Sequence, residues 1–286
     1  MMADARLPIA VLGAGTMGQG IAQLAAAAGH PTRLFDANAE ALARGLERAL
    51  AGLATAVSKG KLATADGAAA AQRLSSSSEL AGAVAGAGLV IEAIPEQLAL
   101  KIELLREVAG LAPADCVLAS NTSSLSLTEI AAGSGRPGQV VGMHFFNPPP
   151  VMRLLELVRA EQTTPATLAF ARAVGERMGK EVIEVRDSPG FASSRLGIAL
   201  AMEAIRMLEE GVASAADIDR AMELGYNHPM GPLKLTDLVG LDVRLAIAEH
   251  LSRELGGVRF QPPQMLKRLV RAGKLGRKSG AGFFTY

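Results

Sequence analysis

Short apolar runs alternate with amphipathic stretches along the chain as far as residue 187. An apolar run bounded by turn residues predicts a buried strand, and apolar positions that recur every three or four residues predict a helix. The strands predicted in this way are 9–12, 32–35, 89–94, 117–120, 140–144, 154–158 and 181–185. The helices predicted between them are 15–29, 39–58, one that begins near Gln97, and 165–179. The polar segment from Ser75 to Ser78 is predicted to be a loop.

Strand-like patterns stop at the segment from Asp187 to Gly190, whose proline and glycine are typical of a domain boundary. Beyond it the periodicity is helical, with helices predicted at 191–211, 215–224, 231–255 and 262–272. Alternating strands and helices are typical of a largely parallel sheet that is covered by helices. We therefore expect an α/β protein with two domains, residues 1–187 and an all-helical C-terminal domain over residues 188–286.

The first strand runs directly into a glycine-rich turn and a helix. The turn and the start of its helix comprise Gly13, Gly15, Thr16, Met17 and Gly18. Gly13 permits the tight turn, Gly15 lets a pyrophosphate approach the backbone, and Gly18 allows the helix and strand to pack closely. Unpaired N–H groups at the helix N-terminus also attract phosphates. The N-terminal domain is therefore expected to be a Rossmann-type doubly wound sheet that binds a dinucleotide.

An acidic residue in the expected position indicates which dinucleotide is bound. Asp36 ends the second predicted strand, where a carboxylate can accept hydrogen bonds from the adenosine ribose hydroxyls. A carboxylate repels a 2′-phosphate, so NAD is favoured over NADP. Arg33 precedes Asp36 by three residues and points to the opposite side of a strand, so it is not expected to offset that repulsion. The alternative is an ordinary glycine turn followed by a surface aspartate.

The composition narrows the function further. The 286 residues carry a net charge of +1 and 49% are apolar, so neither a nucleic-acid surface nor a membrane anchor is indicated. The first apolar run is too short for a signal peptide. The one cysteine, Cys116, allows no intramolecular disulfide, which suits a reducing cytoplasm. No group of residues has the spacing of metal ligands, so no metal is expected.

His144 is the histidine best placed for chemistry. It ends a predicted strand on the side where ligands bind in a doubly wound sheet, and Glu156 lies on the next strand-like segment. A His–Glu pair fixes the imidazole tautomer and raises its basicity, so the histidine can take the proton of a substrate hydroxyl while hydride leaves to a nicotinamide. The alternative is a histidine that is simply buried by Phe145 and Phe146, and the pattern alone does not separate the two.

Seven motifs along the chain resemble the L-3-hydroxyacyl-CoA dehydrogenase family. They are 13–18 (Gly-Ala-Gly-Thr-Met-Gly), 92–96 (Glu-Ala-Ile-Pro-Glu), 120–125 (Ser-Asn-Thr-Ser-Ser-Leu), 142–148 (Gly-Met-His-Phe-Phe-Asn-Pro), 187–191 (Asp-Ser-Pro-Gly-Phe), 231–242 (Gly-Pro-Leu-Lys-Leu-Thr-Asp-Leu-Val-Gly-Leu-Asp) and 276–283 (Gly-Arg-Lys-Ser-Gly-Ala-Gly-Phe). The resemblance extends over essentially the whole chain. It implies a homodimer formed through the C-terminal helical domain.

The resemblance implies roles for individual residues. His144 corresponds to the general base, Glu156 to the carboxylate that orients it, and Ser123 to the serine that binds the substrate oxygen near the nicotinamide. Asn147 is expected to contact cofactor or substrate, and Lys59 to contact a CoA phosphate. The resemblance also assigns to the cofactor the side chains of Glu96, Lys101 and Lys278. One departure is Ser194, which stands where the family usually has an asparagine; its hydroxyl is shorter than the asparagine amide but can also donate a hydrogen bond to a substrate carbonyl.

The expected activity is therefore the NAD-dependent oxidation of the 3-hydroxyl of a short L-3-hydroxyacyl-CoA, such as 3-hydroxybutyryl-CoA, in fatty acid β-oxidation, or the reverse reduction. A second interpretation is a dehydrogenase of a free hydroxy acid or sugar acid that does not use CoA. A third is a non-catalytic relative that binds a dinucleotide, because members of the broader family serve as structural lens proteins.

Overall fold

The computed structural model describes residues 6–286. Residues 1–5, where a signal peptide would begin, lie outside the described residues. The chain divides into two compact units, one that ends at Ser188 and one from Pro189 to Tyr286. We call them the sheet unit and the helical unit. None of the helices in the described part combines the length and the hydropathy needed to cross a membrane.

One mostly parallel sheet forms the centre of the sheet unit. Its strands are β1 (Ile9–Leu12), β2 (Thr32–Phe35), β3 (Leu74–Ser77), β4 (Leu89–Glu92), β5 (Val117–Ser120), β6 (Val140–Phe145), β7 (Leu154–Arg159) and β8 (Glu181–Arg186). Their order in the sheet is β3-β2-β1-β4-β5-β6-β7-β8. Strands β1 to β6 are parallel, whereas β7 pairs antiparallel with β6 and β8 runs parallel to β7. The first six strands thus have the Rossmann order, as expected, and the order reverses between β1 and β4.

Helices cover this sheet. They are α1 (Thr16–Ala27), α2 (Ala39–Ser58), α3 (Thr64–Arg73), α4 (Leu80–Val84), α5 (Leu98–Leu111), α6 (Leu127–Gly133) and α7 (Pro165–Arg177). Strands β1 and β4 are buried along their whole length, and side chains such as Ile21 of α1 and Ile91 of β4 belong to one apolar core. This burial explains why the central strands are continuous apolar runs in the sequence.

The expectation of a loop from Ser75 to Ser78 is wrong, because residues 74–77 form β3 at the edge of the sheet. The strand pairs with β2 in the register Thr32↔Leu74 to Phe35↔Ser77. Only Leu74 of this strand is buried, so backbone hydrogen bonds rather than apolar side chains hold it. Helix α3 was not predicted either. It buries only Gly67 and Ala70, and such small side chains give no visible apolar periodicity.

The helical unit consists of α8 (Ser193–Glu209), α9 (Ala215–Gly225), α10 (Pro232–Val239), α11 (Leu241–Leu255) and α12 (Gln264–Arg271). The single helix expected over 231–255 is therefore two helices. Gly240 separates them with a φ of +107°, a backbone conformation that other residues rarely adopt. The apolar core of this unit is formed by all five helices and includes Ile198, Leu233 and Leu251.

Candidate active site

The glycine turn after β1 has the geometry that the motif requires. Gly13 has a φ of +100°, and a Cβ there would lie 2.7 Å from the carbonyl oxygen of Ala93. A Cβ on Gly18 would clash with the carbonyl of Gly13, whereas the position of a Cβ on Gly15 is open, with nothing within 4 Å. The turn thus leaves space in front of Gly15 at the N-terminus of α1, where a phosphate group is favoured.

A cavity of about 660 Å³ extends from this turn along the carboxyl end of the sheet. Its lining includes Gly13, Gly15, Thr16, Met17 and Asp36. The structure therefore brings these five predicted residues together, and the cradle fits a dinucleotide. Gly18 lies behind the turn rather than in the lining.

Asp36 links the end of β2 to the glycine turn by hydrogen bonds. Its carboxylate accepts hydrogen bonds from the backbone N–H of Ala14 at 2.8 Å and of Asn38 at 2.9 Å. Arg33 points away, as expected, and its guanidinium donates to the carbonyl oxygen of Ala85 just after α4. The negative charge at the rim of the cavity is therefore not neutralised by Arg33.

The loop after β5 is organised by the carboxylate of Glu96. Its Oε1 accepts hydrogen bonds from the hydroxyl of Thr122 at 2.6 Å and from the backbone N–H of Ser123 at 2.8 Å. The hydroxyl of Ser123 lies 3.3 Å from the same oxygen. Burial acts to raise the pKa of Glu96, but the Lys101 ammonium and the donated hydrogen bonds outweigh it and hold the pKa below its usual value. Glu96 is therefore a carboxylate that fixes the backbone around Ser123.

Lys101 lies behind this loop in a buried ion pair that the sequence did not predict. Its ammonium donates to both carboxylate oxygens of Glu92, at 3.0 and 2.8 Å, and to the carbonyl of Ile94 at 3.2 Å. It also lies 3.4 Å from the Glu96 carboxylate. Ser120 completes the cluster by donating to Glu92. The signal that could have found this cluster is Glu92 itself, an acid at the end of a strand buried on both faces.

His144 and Glu156 face each other across β6 and β7. They are direct partners in the antiparallel register, and the imidazole Nδ1 lies 2.7 Å from the Glu156 carboxylate. Both residues are buried, Glu156 completely. The Phe146 ring packs 4.5 Å from the imidazole, centroid to centroid. The structure therefore contains both features that the sequence left open: a His–Glu pair and a histidine packed on an aromatic ring.

Asn121 ties the two loops of the site together, although the sequence analysis did not single it out. Its side-chain oxygen accepts a hydrogen bond from the backbone N–H of Phe145 at 2.9 Å. This bond links the carboxyl end of β5, where Ser123 follows, to the carboxyl end of β6, where His144 lies.

A second cavity of about 430 Å³ opens beside α2. It brings together Asn147 from the turn after β6 and Lys59 from the end of α2. Two further cations, Arg48 and Lys61, line the same cavity. Three basic side chains around one opening favour an anionic ligand.

Two predicted residues belong to the helical unit. Ser194 is half-buried in the first turn of α8. Lys278 forms an ion pair with Asp242, with its ammonium 2.6 Å from the nearer carboxylate oxygen. Over residues 6–286, no cluster of three His, Cys, Asp or Glu side chains has the arrangement of a metal site.

A Rossmann sheet with an open glycine cradle and an acid after β2, followed by a helical unit, defines a class of nicotinamide-dependent dehydrogenases. Comparison with known families makes the assignment specific. Residues 8–188 match the model described as 3-hydroxyacyl-CoA dehydrogenase, NAD binding domain, and residues 190–286 match the model for the C-terminal domain of the same enzymes. The chain belongs to the 3-hydroxyacyl-CoA dehydrogenase family and is an NAD-dependent oxidoreductase.

Individual relatives agree with this family over their full length. The chain is 47% identical to a probable 3-hydroxybutyryl-CoA dehydrogenase of Bacillus subtilis, over 97% of this chain and 96% of the relative. It is 41% identical to the 3-hydroxybutyryl-CoA dehydrogenase of Mycobacterium tuberculosis over the whole of both chains. The crystal structure of an (S)-3-hydroxybutyryl-CoA dehydrogenase from Ralstonia eutropha superposes with a TM-score of 0.93 at 40% identity and covers 98% of each chain.

Proposed function

We propose that this protein oxidises the 3-hydroxyl of a short L-3-hydroxyacyl-CoA, such as 3-hydroxybutyryl-CoA, to the 3-ketoacyl-CoA and also runs the reverse reduction. The observation that carries this proposal is the buried His144–Glu156 pair at 2.7 Å, in a chain of the 3-hydroxyacyl-CoA dehydrogenase family. The pair supplies a positioned base, which is the group that hydroxyl oxidation needs from the protein.

Glu156 determines which imidazole nitrogen of His144 acts. A carboxylate at Nδ1 holds the proton on that nitrogen and leaves the lone pair on Nε2. Nε2 removes the proton of the substrate 3-hydroxyl during oxidation, and the negative charge of Glu156 stabilises the imidazolium that forms. Bound NAD⁺ supplies the hydride acceptor. In the reverse direction the imidazolium returns the proton to the 3-oxygen.

Ser123 positions the substrate oxygen in this proposal. Its backbone is held by Glu96, so its hydroxyl can donate to the carbonyl oxygen that develops at C3. Asn147 follows β6 closely after His144 and contacts the cofactor or the substrate. Ser194 donates a hydrogen bond to a substrate carbonyl in place of the asparagine that the family usually has.

The cofactor is held by the glycine turn and by charged residues around it. Backbone N–H groups near Gly15 and Thr16 bind the pyrophosphate, with Gly13, Met17 and Gly18 shaping the turn. The Asp36 carboxylate accepts hydrogen bonds from the adenosine ribose. The remaining proposed cofactor contacts are Glu96, Lys101, Ser123, Asn147 and Lys278. Lys101 acts through Glu96, because its buried ammonium lies 3.4 Å from that carboxylate.

The basic cavity beside α2 is proposed to bind the phosphates of CoA. Lys59 is the residue predicted for this role, and Arg48 and Lys61 line the same opening. Three cations match the several negative charges of CoA phosphates. A free hydroxy acid carries no such phosphates, so this cavity favours the CoA ester as the substrate.

We propose that the protein works in the cytoplasm, in the β-oxidation of fatty acids, as a homodimer formed through the helical unit. Exposed apolar side chains on that unit support the dimer. They include Leu196, Leu224, Tyr226 and Val258, each more than 70% exposed, and such surfaces are often covered by a partner. Light scattering of the purified protein should give about twice the chain mass, and a monomer would contradict the proposal.

The experiment that tests the activity follows NADH oxidation with acetoacetyl-CoA and, in parallel, with free acetoacetate. We expect rapid turnover with the CoA ester only. His144→Ala should lower kcat/KM by about 10²- to 10⁴-fold, because the base is lost, while the affinity for NADH stays nearly unchanged. Turnover of the free acid instead would favour a CoA-independent dehydrogenase. Tight NADH binding without turnover of either substrate would favour a non-catalytic relative.

A further inference from the structure

Among residues 6–286, three cationic side chains are buried: Lys101, Lys180 and Arg244. Lys101 pairs with two carboxylates. Lys180 donates to the backbone carbonyls of Pro149 and Met152 at 2.5 and 2.7 Å. Arg244 in α11 is 7% exposed, yet its guanidinium forms no hydrogen bond or ion pair with any residue that the structure describes, and its Nε is fully buried without a partner. Burial lowers the pKa of Arg244 to about 10, so the group is still charged at neutral pH.

Three acids of the helical unit already have partners. Asp242, two residues before Arg244, pairs with Lys278. Asp219 accepts hydrogen bonds from two backbone N–H groups at the start of α10. Asp237 accepts hydrogen bonds from the backbone N–H groups of Phe283 and Phe284, at 2.9 Å each. A buried charge without a counter-charge is costly, and these three acids do not supply one to Arg244.

Gly197 in α8 makes room for the guanidinium. A Cβ on this glycine would lie 3.2 Å from Nη1 of Arg244, and no other atom beyond its neighbours in the helix lies within 4 Å of that Cβ position. Glycine inside a helix weakens it relative to alanine, so the space has a cost in helix stability. The long side chain of Arg244 on α11 therefore occupies the space that the absence of a side chain at Gly197 leaves on α8.

The contact with Gly197 also shows which part of α8 the guanidinium of Arg244 lies against. It follows Ser194 by three residues on the same helix, so both residues are on one face of α8, separated by less than one turn of about 5.4 Å. Ser194 is the residue proposed to contact the substrate carbonyl. The guanidinium of Arg244 thus lies against α8 at a residue that is within one helical turn of Ser194.

We propose that Arg244 binds a carboxylate at the far end of the acyl chain, so that the preferred substrates are 3-hydroxyacyl-CoA esters of dicarboxylic acids. This inference rests on the proposed function, because it assumes that Ser194 contacts the substrate. A carboxylate can take two parallel hydrogen bonds from a guanidinium and cancels its charge. An apolar acyl chain of the same length leaves the buried charge unpaired and is bound more weakly.

The test compares two six-carbon ligands that differ only at their end. Adipyl-CoA ends in a carboxylate and hexanoyl-CoA in a methyl group, and neither can be reduced. We expect calorimetry on the full chain with NAD⁺ to give at least tenfold tighter binding of adipyl-CoA. Arg244→Met should remove this preference, and Arg244→Lys should keep part of it because the charge remains. Arg253→Met, which removes an exposed cation of the same helix, is the matched control and should leave the ratio of affinities unchanged.

Equal affinity of the unaltered protein for the two esters would overturn the inference, and so would a preference that survives in Arg244→Met. Weaker self-association of Arg244→Met, with no change in the ratio of affinities, would assign the partner of Arg244 to a second copy of the chain and also overturn it. Turnover of acetoacetyl-CoA separates the two proposals. If that substrate is reduced but the carboxylate is not preferred, only the role of Arg244 fails.

Discussion

The sheet unit and the helical unit treat buried cations differently. In the sheet unit, Lys101 lies against Glu92 and Glu96, Lys180 donates to two backbone carbonyls, and His144 is paired with Glu156. In the helical unit, Arg244 is buried to a similar degree and has no partner among the described residues. The buried cations of the two units are exposed to a similar small extent, so the difference lies in whether the side chain has a hydrogen-bond partner within the protein.

This difference separates two uses of a buried charge. A paired charge fixes geometry, because both partners are held by their hydrogen bonds and strands, as the β6–β7 register holds His144 and Glu156. An unpaired charge does not fix geometry and stays costly until an anion arrives. A paired charge therefore suits a step that is the same for every substrate. An unpaired charge suits discrimination between substrates, because only some substrates carry the anion that pairs with it.

Loss of the carboxylate from the His144–Glu156 pair should lower activity more than any other change discussed here. In Glu156→Gln the side-chain amide can donate to Nδ1, which moves the imidazole proton to Nε2 and removes the base. We expect kcat with acetoacetyl-CoA to fall by about 10²- to 10⁴-fold, with little change in KM. Steady-state kinetics over a range of pH checks this, because the pH dependence of kcat should change with the base.

The matched control for that variant is Glu161→Gln, which alters an exposed acid shortly after the same strand. It should leave kcat and its pH profile unchanged. A Glu156→Gln enzyme with nearly full kcat would mean that the carboxylate does not set the tautomer of His144. Such a result would mean that the paired carboxylate of Glu156 does not contribute to catalysis, so the proposed difference in role between Glu156 and Arg244 would be lost.

Much of the fold follows from the sequence because it depends on local patterns. Continuous apolar runs identified β1 and β4, and the glycine spacing predicted the cradle, since both features involve residues that are neighbours in the chain. Helix α3 and strand β3 were missed for a physical reason. Small alanine side chains and backbone pairing at a sheet edge stabilise these elements, and neither leaves an apolar pattern.

The site was predictable only where its chemistry is carried by one motif. The contact between His144 and Glu156 was predicted, because the turn between their strands folds them together. The partners of Lys101 and the lack of a partner for Arg244 depend on which helix faces packs on which strand or helix. An arginine in an amphipathic helix is ordinarily solvated, so nothing in the sequence distinguishes Arg244 from Arg253.

We infer that the buried cations of the sheet unit have their partners within the protein, acids for Lys101 and backbone carbonyls for Lys180, whereas the partner of Arg244 is an anion from outside the helical unit. Thermal unfolding of Lys101→Met and Arg244→Met without ligand distinguishes these two cases. Lys101→Met leaves Glu92 buried and unpaired, so we expect a loss of about 3–5 kcal/mol and a Tm lower by about 10 °C. Arg244→Met removes an unpaired charge and should leave Tm equal or higher. A fall in the Tm of Arg244→Met as large as that of Lys101→Met would mean that Arg244 already has a stabilising partner within the protein.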